Sequence, residues 1–316
     1  MNNFVRVTVV YNPIKDFRKV EWFISQAKRK NKDLQIQVLR TESFEDIERK
    51  AHQAFSTGCD LCIAAGGDGT VLGVLNAAIK HDTFFSILPL GTGNDFAIAL
   101  GINGVEDSVK VLFDGRVRTV DVGVCEYRGD DGSAKEMYFG STAGVGVLAR
   151  VFSYERRWIT TVLKNLLGNG VWPLLTTVSI FSGGTSATKL LLNDTRITTQ
   201  MKLFEVSKVR VVGGIVFTPY AGVDNGIFDA WMLHDTDPFK ALNVFIQAGK
   251  PGAPHLSLPG FSYFSGDEAQ NRYRCAKLTR IAVTPEKTLP VHLNGDRVGL
   301  TPCRIRMLPG KLKVLC

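Results

Sequence analysis

The chain has 316 residues, 45% of them apolar and 22% charged, which is enough apolar side chain for folded cores and, at roughly 150 residues per domain, enough length for about two. With 31 glycines, 12 prolines and six scattered cysteines, the composition excludes a disordered or collagen-like chain and a disulfide scaffold. The formal charge of +8 favours anionic partners without choosing among nucleotides, acidic lipid headgroups and nucleic acid. No apolar run approaches the roughly 18 residues that cross a bilayer, and no leader pattern of basic, apolar and small-residue segments opens the sequence; the reading is a cytoplasmic protein with reduced thiols.

Residues 5–11 read as a strand, after which Phe17, Val20, Phe23, Ile24 and Ala27 recur at helical spacing. Residues 34–39 alternate as a second strand, Ser43 and Asp46 form a variant capping box ahead of a helix ending at Gly58, and 61–65 read as a buried strand. Cys59 and Cys62 bracket that strand without a second pair at zinc spacing, so they are expected to be structural. A helix over 70–80, a strand over 85–88, a Gly-rich turn, a short helix from Asn94 and a helix over 105–113 follow. This alternation predicts a Rossmann-like α/β domain over 1–118.

Beyond Gly115 the texture changes to strands at 119–126, 137–142, 177–181, 189–192, 210–212, 230–233, 280–284 and 290–293. They predict a second, all-β domain over 119–300, read as a β-sandwich, with 301–316 packing back on the first domain. One helical pattern interrupts them at 148–167, where Arg150, Arg156, Arg157 and Lys164 stand beside apolar residues. A basic amphipathic helix suits either packing on the β domain or a membrane surface.

The chemistry concentrates in two turns. Gly66-Gly67-Asp68-Gly69-Thr70 follows a buried strand and opens a helix; such glycines admit backbone N–H groups to an anion, and the helix terminus adds positive potential. Asp68 would repel a phosphate unless a cation lay between them, so it points to a Mg²⁺-bound nucleotide, the alternative being a turn aspartate that caps Thr70. The second turn, Pro89-Leu90-Gly91-Thr92-Gly93-Asn94-Asp95, also joins a strand to a helix. Two such turns at neighbouring strand ends make one crevice.

Together with Tyr11-Asn12-Pro13, the GGDGT and PLGTGNDFA turns resemble the diacylglycerol kinase catalytic domain family, which sphingosine, ceramide and bacterial lipid kinases share. The resemblance covers about residues 5–125, weakens across the β domain and returns at 291–310. It implies an ATP cradle of Asn12, Pro13, Thr41, Gly66, Gly67, Asp68, Gly69 and Thr70, with Gly91, Thr92, Asn94 and Asp95 from the second turn. It also implies that the β domain encloses a lipid hydroxyl; no Walker lysine is needed and none is present. Asn294-Gly295-Asp296 stands where the family has Asp-Gly-Glu, so Asp296 is the implied general base, one methylene short. Read locally, Asn294-Gly295 is a hairpin turn that would leave Asp296 in solvent. Asn225-Gly226 replaces the family's Asp-Gly pair at a structural Mg²⁺, which removes a carboxylate from that metal position. Gly73 departs from the Glu of many bacterial relatives, and Gly213-Gly214 with Pro219 and Ala221 is similar to a family segment that shapes the β domain.

Gly144-Val145-Gly146-Val147-Leu148-Ala149 matches a dinucleotide pattern, but no acid follows at the spacing of about twenty residues that would hold a ribose, so close backbone packing is the simpler reading. NAD kinases share the GGDGT turn and are the nearest rival, and the altered Asn225 and Asn294 positions leave room for a nonenzymatic nucleotide-dependent lipid-binding protein. No nucleic-acid module, G-x-S-x-G or H-E-x-x-H occurs. The expected activity is Mg²⁺-dependent transfer from ATP to diacylglycerol or a related lipid, with Asp68 and Asp296 catalytic, at a membrane surface met peripherally; a homodimer is compatible with it.

Overall fold

The structure, a computed structural model, describes residues 4–155, 171–182, 185–252, 254–264 and 277–316. The first part alternates β1 (Arg6–Tyr11), α1 (Phe17–Lys30), β2 (Gln35–Arg40), α2 (Phe44–Ser56), β3 (Leu61–Gly66), α3 (Asp68–Lys80), β4 (Phe84–Pro89), α4 (Asp95–Ala99) and α5 (Val105–Asp114). Its strands are parallel in the order β4-β3-β1-β2. Helices on both faces bury β3 completely, as its unbroken apolar run requires. Ile47 and Ala51 of α2 pack with Val71, Val74 and Leu75 of α3 on one face. Val20, Phe23 and Ala27 of α1 pack with Val109 and Leu112 of α5 on the other. The cap of α2 forms as its sequence suggests, Asp46 N–H donating to Ser43 Oγ at 3.2 Å, while Asp46 Oδ2 reaches past the box to accept the Glu42 N–H at 3.0 Å.

The remainder is β-rich: β5 (Val117–Arg128), β6 (Ala134–Phe139), β7 (Thr142–Gly146), β8 (Ser186–Leu192), β9 (Thr195–Ser207), β10 (Val211–Val212), β11 (Ile215–Val216), β12 (Asp229–His234), β13 (Phe261–Phe264), β14 (Arg280–Pro285), β15 (Pro290–Leu293) and β16 (Asp296–Leu315). The pattern predicts a sandwich, but the pairing runs round one closed circuit, β8-β9-β7-β15-β16-β14 and back to β8. Two long strands close it by changing partners along their length. Strand β9 pairs with β8 over 195–201 and with β7 over 203–207. Strand β16 pairs with β15 near its start and with β14 over 303–306. Closure leaves these strands without free edges, and Leu192, Phe204, Val206, Val283, Leu293 and Ile305 share one buried cluster.

Strand β16 also runs antiparallel to β5 from Leu300↔Arg128 to Leu315↔Val117, and Lys313 and Val314 pair parallel with Phe84 and Phe85 of β4. The last strand therefore joins the parallel sheet to the β-rich part.

Several elements differ from the sequence reading. The run at 177–181 lies in helix α7 (Val171–Ser182), not in a strand; a short apolar run carries no period that separates the two. The single strand expected at 137–142 is broken at Gly140 and Ser141 into β6 and β7. Strands β9 and β13 and helix α8 (Pro238–Ala248) were not foreseen: the first half of β9 is polar on its exposed side, and α8 is announced only by Asp237, which caps the Phe239 and Lys240 N–H groups ahead of Pro238. Of the helix expected over 148–167, α6 (Val147–Glu155) is present, and Arg156, Arg157 and Lys164 lie outside the described residues.

Candidate active site

The carboxyl ends of β1 to β4 gather the residues that the two turns single out. Strand β1 has β2 on one side and β3 on the other, so the connections leave it in opposite directions and open a crevice there. The Asn12 N–H donates to Ala65 O at 3.1 Å, and Asn12 Oδ1 accepts the Ile14 N–H at 3.1 Å, which turns the chain through Pro13. Thr41 is buried, its hydroxyl 3.2 Å and its N–H 3.0 Å from Tyr11 O. It shapes the floor and presents no free hydroxyl.

Glycine is required where the turns meet. A β-carbon on Gly66 would lie 2.1 Å from Thr70 Oγ1, and one on Gly91 would lie 2.6 Å from the Gly67 α-carbon. The turns thus pack backbone on backbone, and the Leu90 N–H donates to Gly66 O at 2.8 Å. Gly67 is the N-cap of helix α3, and Asp68 does not cap Thr70, whose N–H donates to Gly67 O at 2.9 Å while Asp68 Oδ1 accepts the Phe96 N–H at 3.4 Å; the Thr70 hydroxyl is buried and has no hydrogen-bond partner. Asn94, left-handed at φ 57°, accepts the Gly91 N–H at 2.8 Å and donates to Gly91 O at 2.9 Å. Its amide builds the turn, and Thr92 is left exposed at the tip.

Two carboxylates converge beside Gly93, where a β-carbon would be 3.1 Å from Asp68 Oδ2 and 3.3 Å from Asp95 Oδ1. Burial raises the Asp68 carboxyl above the usual range, partly offset by N–H groups of Phe96 and Asn94. Burial and the neighbouring Asp68 charge push Asp95 up to about 7. Both Asp95 oxygens accept the Gly213 N–H, at 3.0 and 3.1 Å, from the β10–β11 hairpin, whose Gly213 and Gly214 have positive φ. The Gly-rich segment of the second part therefore touches the first.

Asp296 arrives from the other side. Asn294 and Gly295 both have positive φ, 49° and 82°, and join β15 to β16 as the expected tight hairpin. Asn294 is buried and Gly295 and Asp296 are half-buried, not left in solvent: the Asn294 N–H donates to Thr142 O at 2.8 Å, and its Oδ1 accepts the Ser141 N–H at 3.0 Å. Asp296 Oδ2 lies 2.2 Å from where a β-carbon on Gly69 would be. The two acids expected to be catalytic are thus brought to adjacent positions at the head of α3.

Lys15 escaped the sequence reading, which sought a lysine only in a Walker pattern. It is half-buried, its ε-carbon 4.0 Å from a β-carbon position at Gly67, and the Tyr11 hydroxyl donates to its carbonyl. The available signal was a cation directly after the Asn12-Pro13 turn.

Asn225 is the clear correction. Where the resemblance implies a structural Mg²⁺, Asn225 Oδ1 accepts from the buried Lys208 Nζ at 2.7 Å. The same ammonium donates to Asp121 Oδ2 at 2.9 Å and Ile227 O at 2.8 Å. An ammonium at the centre of these oxygens does not fit a resident metal. Gly144 and Gly146 likewise belong to no nucleotide turn. They lie in β7, where a β-carbon on Gly144 would be 1.9 Å from Glu205 Oε2 and one on Gly146 2.2 Å from Lys202 O.

Gly-rich turns at parallel strand ends, faced by an acid from a second β-rich part, are an arrangement suited to a phosphate-bearing ligand, and the relatives of this chain make it a phosphotransferase of the kinase class. Residues 6–125 match the family model of the diacylglycerol kinase catalytic domain. The chain is 25% identical over 305 residues to a diacylglycerol kinase of Bacillus subtilis, covering 94% of this chain and 91% of the relative. It is 26% identical over 273 residues to a probable lipid kinase YegS-like of Chromohalobacter salexigens, covering 84% and 79%. A crystal structure of a putative diacylglycerol kinase from Bacillus anthracis shares the fold with a TM-score of 0.72 at 21% identity, over 100% of this chain and 98% of that one. Yeast NADH kinase complexed with NADH shares it more distantly, with a TM-score of 0.51 at 9% identity over 99% and 83%.

Proposed function

We propose that the protein transfers the γ-phosphoryl group of ATP to a lipid hydroxyl, with diacylglycerol the first acceptor to test. The observation that carries this reading is Asp296, set by the β15–β16 hairpin against Gly69 at the head of α3. A nucleotide in the crevice would lay its phosphates along Gly66 to Thr70, with Lys15 beside Gly67 adding positive charge. The hydroxyl attacks the γ-phosphorus, its proton passes to the Asp296 carboxylate, and ADP leaves.

The Asp68 and Asp95 carboxylates beside Gly93 are the hard-oxygen donors that Mg²⁺ prefers. Among the described residues no third such side chain joins them, which suits an ion held jointly with phosphate oxygens. Bound there, Mg²⁺ would offset charge on the nucleotide and on the two acids, of which Asp68 is raised by burial and Asp95 by burial together with the Asp68 charge.

A bilayer substrate calls for peripheral membrane contact. No helix among the described residues is long and apolar enough to cross a membrane, while Phe239 and Phe181 are 70% and 47% exposed and meet edge to face on α8 and α7. The test is transfer from γ-labelled ATP with Mg²⁺ to vesicles containing diacylglycerol, sphingosine, ceramide or phosphatidylglycerol, with NAD as the soluble competitor. A labelled lipid lost in Asp68→Ala and Asp296→Ala supports the reading. Labelled NADP would replace it with a soluble-substrate kinase, and full activity of both variants would overturn the assigned roles.

A further inference from the structure

We infer that Lys208 is a built-in monovalent cation that holds the 224–227 turn onto β5, so that this part of the molecule needs no divalent metal. The side chain is fully buried, and its ammonium carries three N–H donors. All three are used: Asp121 Oδ2 at 2.9 Å, Asn225 Oδ1 at 2.7 Å and Ile227 O at 2.8 Å. The acceptors come from β5 and from both sides of Gly226, so a single cation organises segments about a hundred residues apart in sequence.

The charge balance fits an ammonium and not a divalent ion. The three oxygens belong to one carboxylate, one neutral amide and one carbonyl, a total of −1 against +1 on Lys208. Mg²⁺ added beside the lysine would set three positive charges against that single negative one. It would also have to displace the ammonium from oxygens that it demands at about 2.0–2.1 Å. Two further acids stand nearby and are engaged elsewhere: Asp224 pairs with Arg118 at 3.0 Å, and Asp229 accepts the Tyr263 hydroxyl at 2.8 Å. Asparagine at 225 is thus the partner that Lys208 requires; an aspartate there would leave the cluster with an excess buried negative charge.

The arrangement reaches into the junction between the two parts. Asp121 Oδ2 also accepts the Gly226 N–H at 2.6 Å, and its Oδ1 accepts the Gly310 N–H at 2.9 Å. Gly310, at φ 60°, lies where the register of β16 against β5 shifts, just before β16 pairs with β4. Lys208 therefore fixes a carboxylate that in turn fixes the strand joining the sheets, the task of a structural ion.

The inference does not depend on phosphoryl transfer, and thermal unfolding of the full chain without nucleotide tests it. The expected result is that a chelator or millimolar Mg²⁺ moves the Tm of the Asp68→Asn protein, which lacks one of the acids able to take Mg²⁺ at the crevice, by less than about 2 °C. Lys208→Gln is expected to lower the Tm by at least about 5 °C whether or not Mg²⁺ is present. Mg²⁺ stabilisation by several degrees that persists in Asp68→Asn and vanishes in Asn225→Ala would overturn the inference. So would a Lys208→Gln protein that melts with the wild type, and if that variant does not fold, the Mg²⁺ response of the other two decides alone.

Discussion

Asp296 Oδ2 rests against the backbone of Gly69, 2.2 Å from the place a β-carbon would take. The contact joins the β15–β16 hairpin to the head of α3, and only hydrogen at position 69 leaves the carboxylate where it is. Gly69→Ala should displace Asp296, a short side chain that can yield at modest cost to stability, about 1 kcal/mol. The expected loss is roughly 10²-fold in kcat with a small fall in Tm, read from lipid phosphorylation and thermal unfolding side by side. Asp296→Asn keeps the shape and removes the proton acceptor, so it should cost roughly 10²- to 10⁴-fold in kcat. Normal turnover by both variants would remove Asp296 from the chemistry.

Lys15 makes a different prediction. Its stem lies beside Gly67, on the path assigned to the phosphates. Lys15→Met preserves the stem and deletes the charge. It should raise the KM for ATP about tenfold, the scale of one charge-assisted hydrogen bond, with a smaller change in kcat. A variant with unchanged KM would show that the lysine only packs.

Much of this site was legible because its motifs obey local rules. Gly66 to Thr70 and Gly91 to Asp95 lie at strand ends, and Asn294-Gly295 makes the hairpin its φ requirements dictate. That the first sheet is parallel followed from alternation alone, whereas its order around β1 did not. What was not legible depends on long-range pairing. Nothing near position 208 announces that its ammonium will meet Asp121, 87 residues earlier, and nothing at 295–315 shows that one strand will serve β15, β14, β5 and β4 in turn. The apolar run at 177–181 failed for the opposite reason: its pattern was compatible with two elements, and packing chose the helix.

The acids beside Gly93 make stability depend on pH. Asp95 has its folded value raised to about 7 from an ordinary 3.8, by burial and by Asp68. A raised folded value means that its contribution is fully present below the unfolded value, near 4, and is lost as pH rises through about 7. The protein without nucleotide or Mg²⁺ should therefore lose stability across that window. Asp95→Asn can still accept the Gly213 N–H and carries no charge, so it should exceed wild type by about 2 kcal/mol at pH 8 and match it near pH 4, in urea unfolding. Equal stability of the two proteins at pH 8 would show that the acids are relieved in some other way.

Gly144 tests how tightly the β-rich part is built around its polar core. Glu205 and His292 are both buried, on the two strands that flank β7, and meet at 2.8 Å across Gly144. A β-carbon there would lie 1.9 Å from Glu205 Oε2 and 2.8 Å from His292 Nε2, so Gly144→Ala must separate the pair or move the strands. Parting buried hydrogen-bonded groups that cannot reach water should cost about 3 kcal/mol. Gly132→Ala gives the comparison, since it too adds one methyl group but meets nothing within 4 Å and bears only the strain of its positive φ of 82°. Urea unfolding should rank Gly144→Ala well below Gly132→Ala. The reverse order would mean that the Glu205–His292 contact can be given up freely, and that the glycine at 144 serves something other than room for it.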